Sequence, residues 1–163
     1  MTFDPGTPPT DADDHLLAGW LAETAGRRLL EVRGEGLEGR ELKDAGDLAA
    51  HELLMSLLAE HRPGDAVLSE EGKDDKARLT SSRVWIVDPL DGTREFSEPP
   101  RDDWAVHVAR AVDGVATVGA VALPGLGITL TSSSPMPLRP ANQPLKMLVS
   151  RTRPAAEAVF VAG

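Results

Sequence analysis

The sequence predicts an α+β domain in which a pair of helices packs on one face of a mostly antiparallel sheet. Three observations carry this expectation. Two early stretches place apolar residues at helical spacing. A short run, Val84-Trp85-Ile86-Val87, has strand length and a β-branched, aromatic composition. After it come three strand-like runs joined by tight turns, the pattern of a meander.

Residues 1–10 hold Pro5, Gly6, Pro8 and Pro9 and read as a flexible tail. Thr10-Asp11-Ala12-Asp13 has the form of a helix start, with Thr10 as cap and acids in the first turn. Leu17, Trp20, Leu21, Leu29 and Val32 then make one core face up to about Arg33, and Gly34, Gly36 and Gly39 mark a mobile loop. A second helix is expected from Asp44 to His61, burying Ala50, Leu53, Leu54, Leu57 and Leu58 and stopped by Arg62-Pro63-Gly64. Asp47 falls near its predicted start, where an acid ordinarily favours the helix dipole. His51 and His61 lack partners at ligand spacing and read as surface or packing residues.

Ala66-Val67-Leu68 reads as a buried strand ending at Ser69-Glu70-Glu71-Gly72, and Lys73 to Ser82 as an exposed loop able to move over a site. Open α/β sheets bind ligands outside the carboxyl ends of their strands, so Glu70 is placed to converge on later acids; a solvated Glu-Glu turn is the alternative. Trp104 to Val112 alternates as a strand, with His107 as an ordinary sheet residue. Asp113-Gly114 signals a hairpin, Val115 to Leu123 the return strand, and Pro124 to Gly127 a turn into Ile128 to Thr131. Ser132 to Gln143 reads as a linker, Leu145 to Val149 as a further strand, and Arg153-Pro154 opens a helical stretch.

The chemistry concentrates in Arg83 to Phe96, RVWIVDPLDGTREF. Pro89 has no N–H to continue a ladder, so the strand is expected to stop at Asp88, and Gly92 permits a sharp turn. Asp88 and Asp91, three apart around that turn, can share one small volume. Carboxylates that close repel unless a proton or a cation lies between them, and an oxygen-only ligand set favours Mg²⁺ or Mn²⁺. The alternative is a plain Asp-Gly turn between strands.

Length and composition bound the rest. The 163 residues suit one compact domain, and a net charge of −9 argues against a nucleic-acid surface. An acidic protein that binds a phosphate ester needs cations or oriented amides to offset repulsion. With no cysteine, disulfides, zinc-thiolate sites and thiol nucleophiles are excluded. The amino terminus lacks a basic segment leading into an apolar run, and no stretch approaches the about 18 apolar residues of a membrane span, so a soluble cytoplasmic protein without membrane partners is expected.

Together these motifs resemble the inositol monophosphatase superfamily of lithium-sensitive, magnesium-dependent phosphomonoesterases. WIVDPLDGTREF fits its W-x-x-D-P-x-D-G-T-x-x-F motif at every fixed position; Ser69-Glu70-Glu71 is similar to its G-E-E motif, and Asp44-x-x-Asp47 stands where it carries T-x-x-D. PGDAVLSEE, and DPLDGTREFS followed by RDDWAVHVA, look most like the bacterial 3'(2'),5'-bisphosphate nucleotidases of sulfate assimilation.

The resemblance implies the first part of a layered α/β/α/β/α sugar-phosphatase fold. Residues 11–143 would form the metal-binding amino-terminal domain and 144–163 the start of a carboxy-terminal one. It implies two or three Mg²⁺ ions, with Mn²⁺ as a substitute and Li⁺ inhibitory. Glu70, Asp88 and the Leu90 carbonyl would ligate the first ion, and Asp88 and Asp91 the second. Thr93 would hold the attacking water, Asp47 would accept the Thr93 proton, and Gly92 and Thr93 would present backbone N–H groups to the ester phosphate. Glu71 would orient the ligands. The implied reaction is hydrolysis of 3'-phosphoadenosine 5'-phosphate, or its sulfate, without a phosphoenzyme; inositol monophosphate and fructose bisphosphate are the alternative substrates.

The chain departs from the family at Ser69, where the family has Gly, and at Asp44, where it has Thr. The family's downstream W-D motif and G-S-containing segment have no counterpart here, so an inactive metal- or phosphate-binding fragment is the competing expectation, with an uncovered face that allows a homodimer. Haloacid-dehalogenase phosphatases also show D-G-T, but their two acids are spaced D-x-D, unlike Asp88 and Asp91.

Overall fold

A computed structural model describes residues 6–8, 13–73, 76–137, 147, 149–150 and 155–157. Helix α1 (Asp14–Arg33) opens with the Asp13 carboxylate accepting from the Leu16 N–H at 2.9 Å, so Asp13 is the cap, and the expected cap Thr10 lies outside the described residues. Helix α2 (Gly39–His61) begins five residues earlier than its apolar pattern predicts. Gly39 is its first residue, at φ +53°, where a loop-breaking glycine was expected. Asp47 consequently sits more than two turns inside α2, which removes the helix-dipole explanation for it.

The sheet has five strands in the order β1-β2-β3-β4-β5: β1 (Ala66–Ser69), β2 (Arg83–Asp91), β3 (Ala105–Val112), β4 (Val115–Leu123) and β5 (Ile128–Thr131). Only the β1–β2 pair is parallel. A four-residue helix, α3 (Thr93–Phe96), follows β2. Asp113 at φ +48° and Gly114 at φ +79° make the hairpin turn that the Asp-Gly pair demands. Lys76–Leu79 forms an exposed single turn within the expected loop. The strand expected over 145–149 and the helical stretch from Arg153-Pro154 fall largely outside the described residues.

Both helices cover one face of the sheet. Leu17, Leu21 and Leu29 of α1 and Leu54 and Leu58 of α2 are buried against Trp85, Val87, Val106, Val108, Ala120 and Ala122. Each fully buried large side chain stabilises the fold by about 1.5–3 kcal/mol. The alternate residues of β2, among them Ile86 and Asp88, lie on the uncovered face.

One expectation for β2 fails. The strand runs through Pro89 to Asp91. The β1 ladder has already ended at Val87, and against β3 the register steps from Asp88↔His107 to Asp91↔Ala105, which puts one extra residue on β2. Such a bulge asks for no ladder N–H from Pro89. It also corrects the parity of the strand. Residues three apart on a regular strand face opposite ways; the extra residue brings Asp91 to the same face as Asp88.

Candidate metal-dependent phosphoryl site

The sheet, α2 and the turn after β2 bring acids together beyond the carboxyl ends of β1 and β2. The Glu70 N–H donates to the Val87 carbonyl at 3.2 Å, seating the β1 turn beside β2. The Leu90 N–H, the first available after Pro89, donates to Asp88 Oδ1 at 3.2 Å and orients that carboxylate. Burial pushes the Asp88 carboxyl up to about 6, assisted by the charge of Glu70, the hydrogen bond it shares with Glu70 and the charge of Asp91, against the single Leu90 N–H.

Asp47 shows the same physics from α2. Burial, then the charges of Glu71, Asp44, Asp88 and Glu70 in that order, push it up to about 6. Its Oδ1 is buried without a hydrogen-bond partner. Four acids thus act on Asp47, and no cation is among the causes.

The turn itself is held by close packing. Gly92 lies at φ +81°, and a Cβ there would come within 3.2 Å of the Asp103 carbonyl oxygen and Trp104 Cα. Gly46, adjacent to Asp47, lets Phe96 and Leu90 lie against α2; a Cβ would stand 2.6 Å from Phe96 Cε1 and 3.1 Å from Leu90 Cδ2. The Thr93 hydroxyl donates to the Leu90 carbonyl at 3.1 Å. Among the described residues, no hydrogen bond joins Thr93 to Asp47.

The structure therefore brings Glu70, Asp88 and Asp47 into mutual electrostatic contact, with Glu71 and Asp91 close by. Asp91 also has a partner on β3: its Oδ2 lies 3.2 Å from His107 Nε2. Among the described residues no three Asp, Glu or His side chains are already drawn into a metal cage. The donor set nevertheless fits a hard divalent cation, being all oxygen, with an orphaned buried carboxylate oxygen and a Glu70–Asp88 pair that needs a proton or a cation between its members.

Three residues of this neighbourhood carry contacts that their sequence pattern does not announce. His107 touches Asp91, where an ordinary sheet residue was expected. His51 places Nδ1 2.9 Å from the hydroxyl of buried Ser69, pinning the turn that carries Glu70 and Glu71; its position four residues after Asp47 on α2 was the available signal. Gly46 was legible only as a glycine within a helical pattern.

These features make a cluster of partly buried carboxylates on a helix-backed sheet, and the chain belongs to the inositol monophosphatase family, whose sequence profile matches residues 16–159. Its relatives narrow the resemblance. It is 49% identical over 156 residues to the 3'-phosphoadenosine 5'-phosphate phosphatase of Mycobacterium leprae, covering 86% of this chain and 58% of that protein. It is 52% identical over 143 residues to the protein of the same name from Mycobacterium tuberculosis, covering 81% and 54%. The chain spans somewhat over half the length of these curated relatives. The crystal structure of a staphylococcal IMPase-II superposes with a TM-score of 0.73 at 24% identity, over 91% of this chain and 60% of that one, a likeness of fold. Family membership implies dependence on divalent metal ions. No helix among the described residues is long and apolar enough to cross a membrane.

Proposed function

We propose that this chain carries the metal-binding half of a Mg²⁺-dependent phosphomonoesterase acting on 3'-phosphoadenosine 5'-phosphate or its sulfate. The observation that carries the reading is the convergence of Asp47, Glu70, Glu71 and Asp88, with no cationic side chain among the groups that shift Asp47 and Asp88. Glu70, Asp88 and the Leu90 carbonyl would hold one ion, and Asp88 with Asp91 a second. Bound cations would supply charge neutralisation of the phosphoryl oxygens and acidify a water.

The chain's own groups do the rest. Thr93, at the start of α3, would exchange its hydrogen bond to the Leu90 carbonyl for one to the attacking water, once that carbonyl is engaged as a ligand. Asp47, with an unpartnered oxygen and a carboxyl held near 6, is suited to take the Thr93 proton. The backbone N–H groups of Gly92 and Thr93, which precede the first helical hydrogen bond, would receive the ester phosphate. Glu71 would keep the acids oriented. The choice of the bisphosphonucleotide over inositol phosphate and fructose bisphosphate rests on the names of the mycobacterial relatives.

Mg²⁺-dependent phosphate release from adenosine 3',5'-bisphosphate, with inositol monophosphate and fructose bisphosphate as comparators, tests the reading. Activity should be lost on chelation and in Asp88→Asn, and fall about 10²–10⁴-fold in Thr93→Ala. Unchanged rates in both variants would overturn the roles. The second reading, a module that binds metal without turnover, is favoured by the acids not being drawn into a ready cage among the described residues, and Mg²⁺ binding without phosphate release would establish it.

A further inference from the structure

His107 takes no part in the reading above, yet it touches one of the acids that the reading uses. Its Nε2 lies 3.2 Å from Asp91 Oδ2, and the two side chains are 41% and 62% exposed. The contact is built into the sheet. His107 stands opposite Asp88 across the β2–β3 ladder, and the extra residue in β2 brings Asp91 onto that same face. A carboxylate oxygen accepts, so the tautomer that makes this contact a hydrogen bond is the one whose Nε2–H donates to Oδ2. The contact ties Asp91 to a neighbouring strand, whereas an exposed Asp at the end of a strand would otherwise sample several rotamers.

We propose that His107 is the positioning residue of Asp91: it binds one carboxylate oxygen, fixes the side-chain rotamer, and leaves the other oxygen free for a divalent cation shared with Asp88. The proposal rests on the metal site of the preceding section. Ligand carboxylates gain affinity when a partner outside the coordination shell pre-orients them, because ordering the side chain is then no longer a cost of binding. The imidazole comes from β3, so it reports to the site through a single hydrogen bond and not through the packing of the core.

Isothermal titration of Mg²⁺ into the whole chain, the His107→Leu and the His107→Gln variants tests this, together with ring ¹⁵N spectra of His107 during a Mg²⁺ titration of the unmodified chain. Affinity for the ion at Asp91 should fall about tenfold in His107→Leu, the lower end of the range for such partners. His107→Gln, which keeps an N–H donor, should recover most of it. The Nε2 signal should remain protonated and move as Mg²⁺ is added. Equal Mg²⁺ affinity in His107→Leu and the unmodified chain would overturn the proposal, as would a ring signal indifferent to Mg²⁺, which decides the matter even if His107→Leu does not fold. If the unmodified chain binds no Mg²⁺, the metal site itself fails and this proposal with it. Binding that persists unchanged in His107→Leu defeats the His107 assignment alone.

Discussion

Asp14 and Asp65, at the end of the sheet where β2 begins, are surrounded by arginines; Asp47 and Asp88, at the end where β2 runs out, are surrounded by other carboxylates. At the first end, Asp14 accepts from Arg62 Nε at 2.7 Å and from Arg83 at 3.0 Å, and it also pairs with Arg110. Asp65 takes Arg83 Nε at 2.7 Å and Trp85 Nε1 at 2.9 Å. Burial pushes Asp65 up, but the hydrogen bonds from Arg83 and Trp85 and the charges of Arg83 and Arg62 outweigh it and leave it below the usual carboxylate range. At the second end burial acts with the neighbouring charges, and Asp47 and Asp88 are pushed up to about 6. One residue type, partly buried at both ends, is thus a clamp where a guanidinium answers it and a group pushed toward protonation where other carboxylates crowd it. The arginine-matched end ties the start of α1, the end of α2 and strands β2 and β3 together; the unmatched end leaves electrostatic strain that only protons or metal ions relieve.

This contrast can be broken from either side. The largest effect is expected at the matched end: Asp14→Ala removes the carboxylate that Arg62, Arg83 and Arg110 share, although Arg83 keeps Asp65, and should cost about 3 kcal/mol in urea unfolding. Gly46→Val forces a side chain into Phe96 and Leu90 and should cost about 1–3 kcal/mol, together with any metal response. Asp88→Asn should act with the opposite sign on the metal-free chain. Removing one of the crowded acids should raise its stability, by on the order of 1 kcal/mol, while abolishing stabilisation by Mg²⁺.

The pH dependence sharpens the same point. Asp47 and Asp88 hold protons more tightly in the folded chain than in the unfolded one, so in the window between their ordinary value near 3.8 and about 6 the native state binds the greater number. Their contribution to stability is therefore present below that window and lost as pH rises through it. Thermal unfolding in chelator should show this decline, and added Mg²⁺ should reverse it increasingly toward neutral pH. The smallest effect is expected for Arg40→Ala, whose ion pair with Asp44 joins side chains that are 92% and 68% exposed; the change should stay below about 0.5 kcal/mol.

Much of the fold was legible because its signals are local. Asp113-Gly114 and the Pro124 to Gly127 turn carry their own backbone chemistry, so β3, β4 and β5 were read nearly to the residue. The misreadings came where one local rule met a long-range contact. Pro89 terminates a strand only if a ladder N–H is required there, and the bulge opposite β3 removes that requirement. Gly39 was read as a breaker, although a helix can begin on a residue of positive φ. In the site, the acids were visible as residues and their spacing as a pattern, but the partners that distinguish them were not. Arg110 reaches Asp14, His107 reaches Asp91 and Phe96 reaches Gly46 only once the sheet and helices have formed.

On the proposed reading, the acids at the end of β1 and β2 form one cation-binding cluster. Calorimetric titration of Mg²⁺ into the chain, compared with Glu70→Gln and Asp88→Asn, tests it most directly. Saturable binding that either substitution removes is expected. Binding that survives both substitutions, or no binding at all to the unmodified chain, would contradict it.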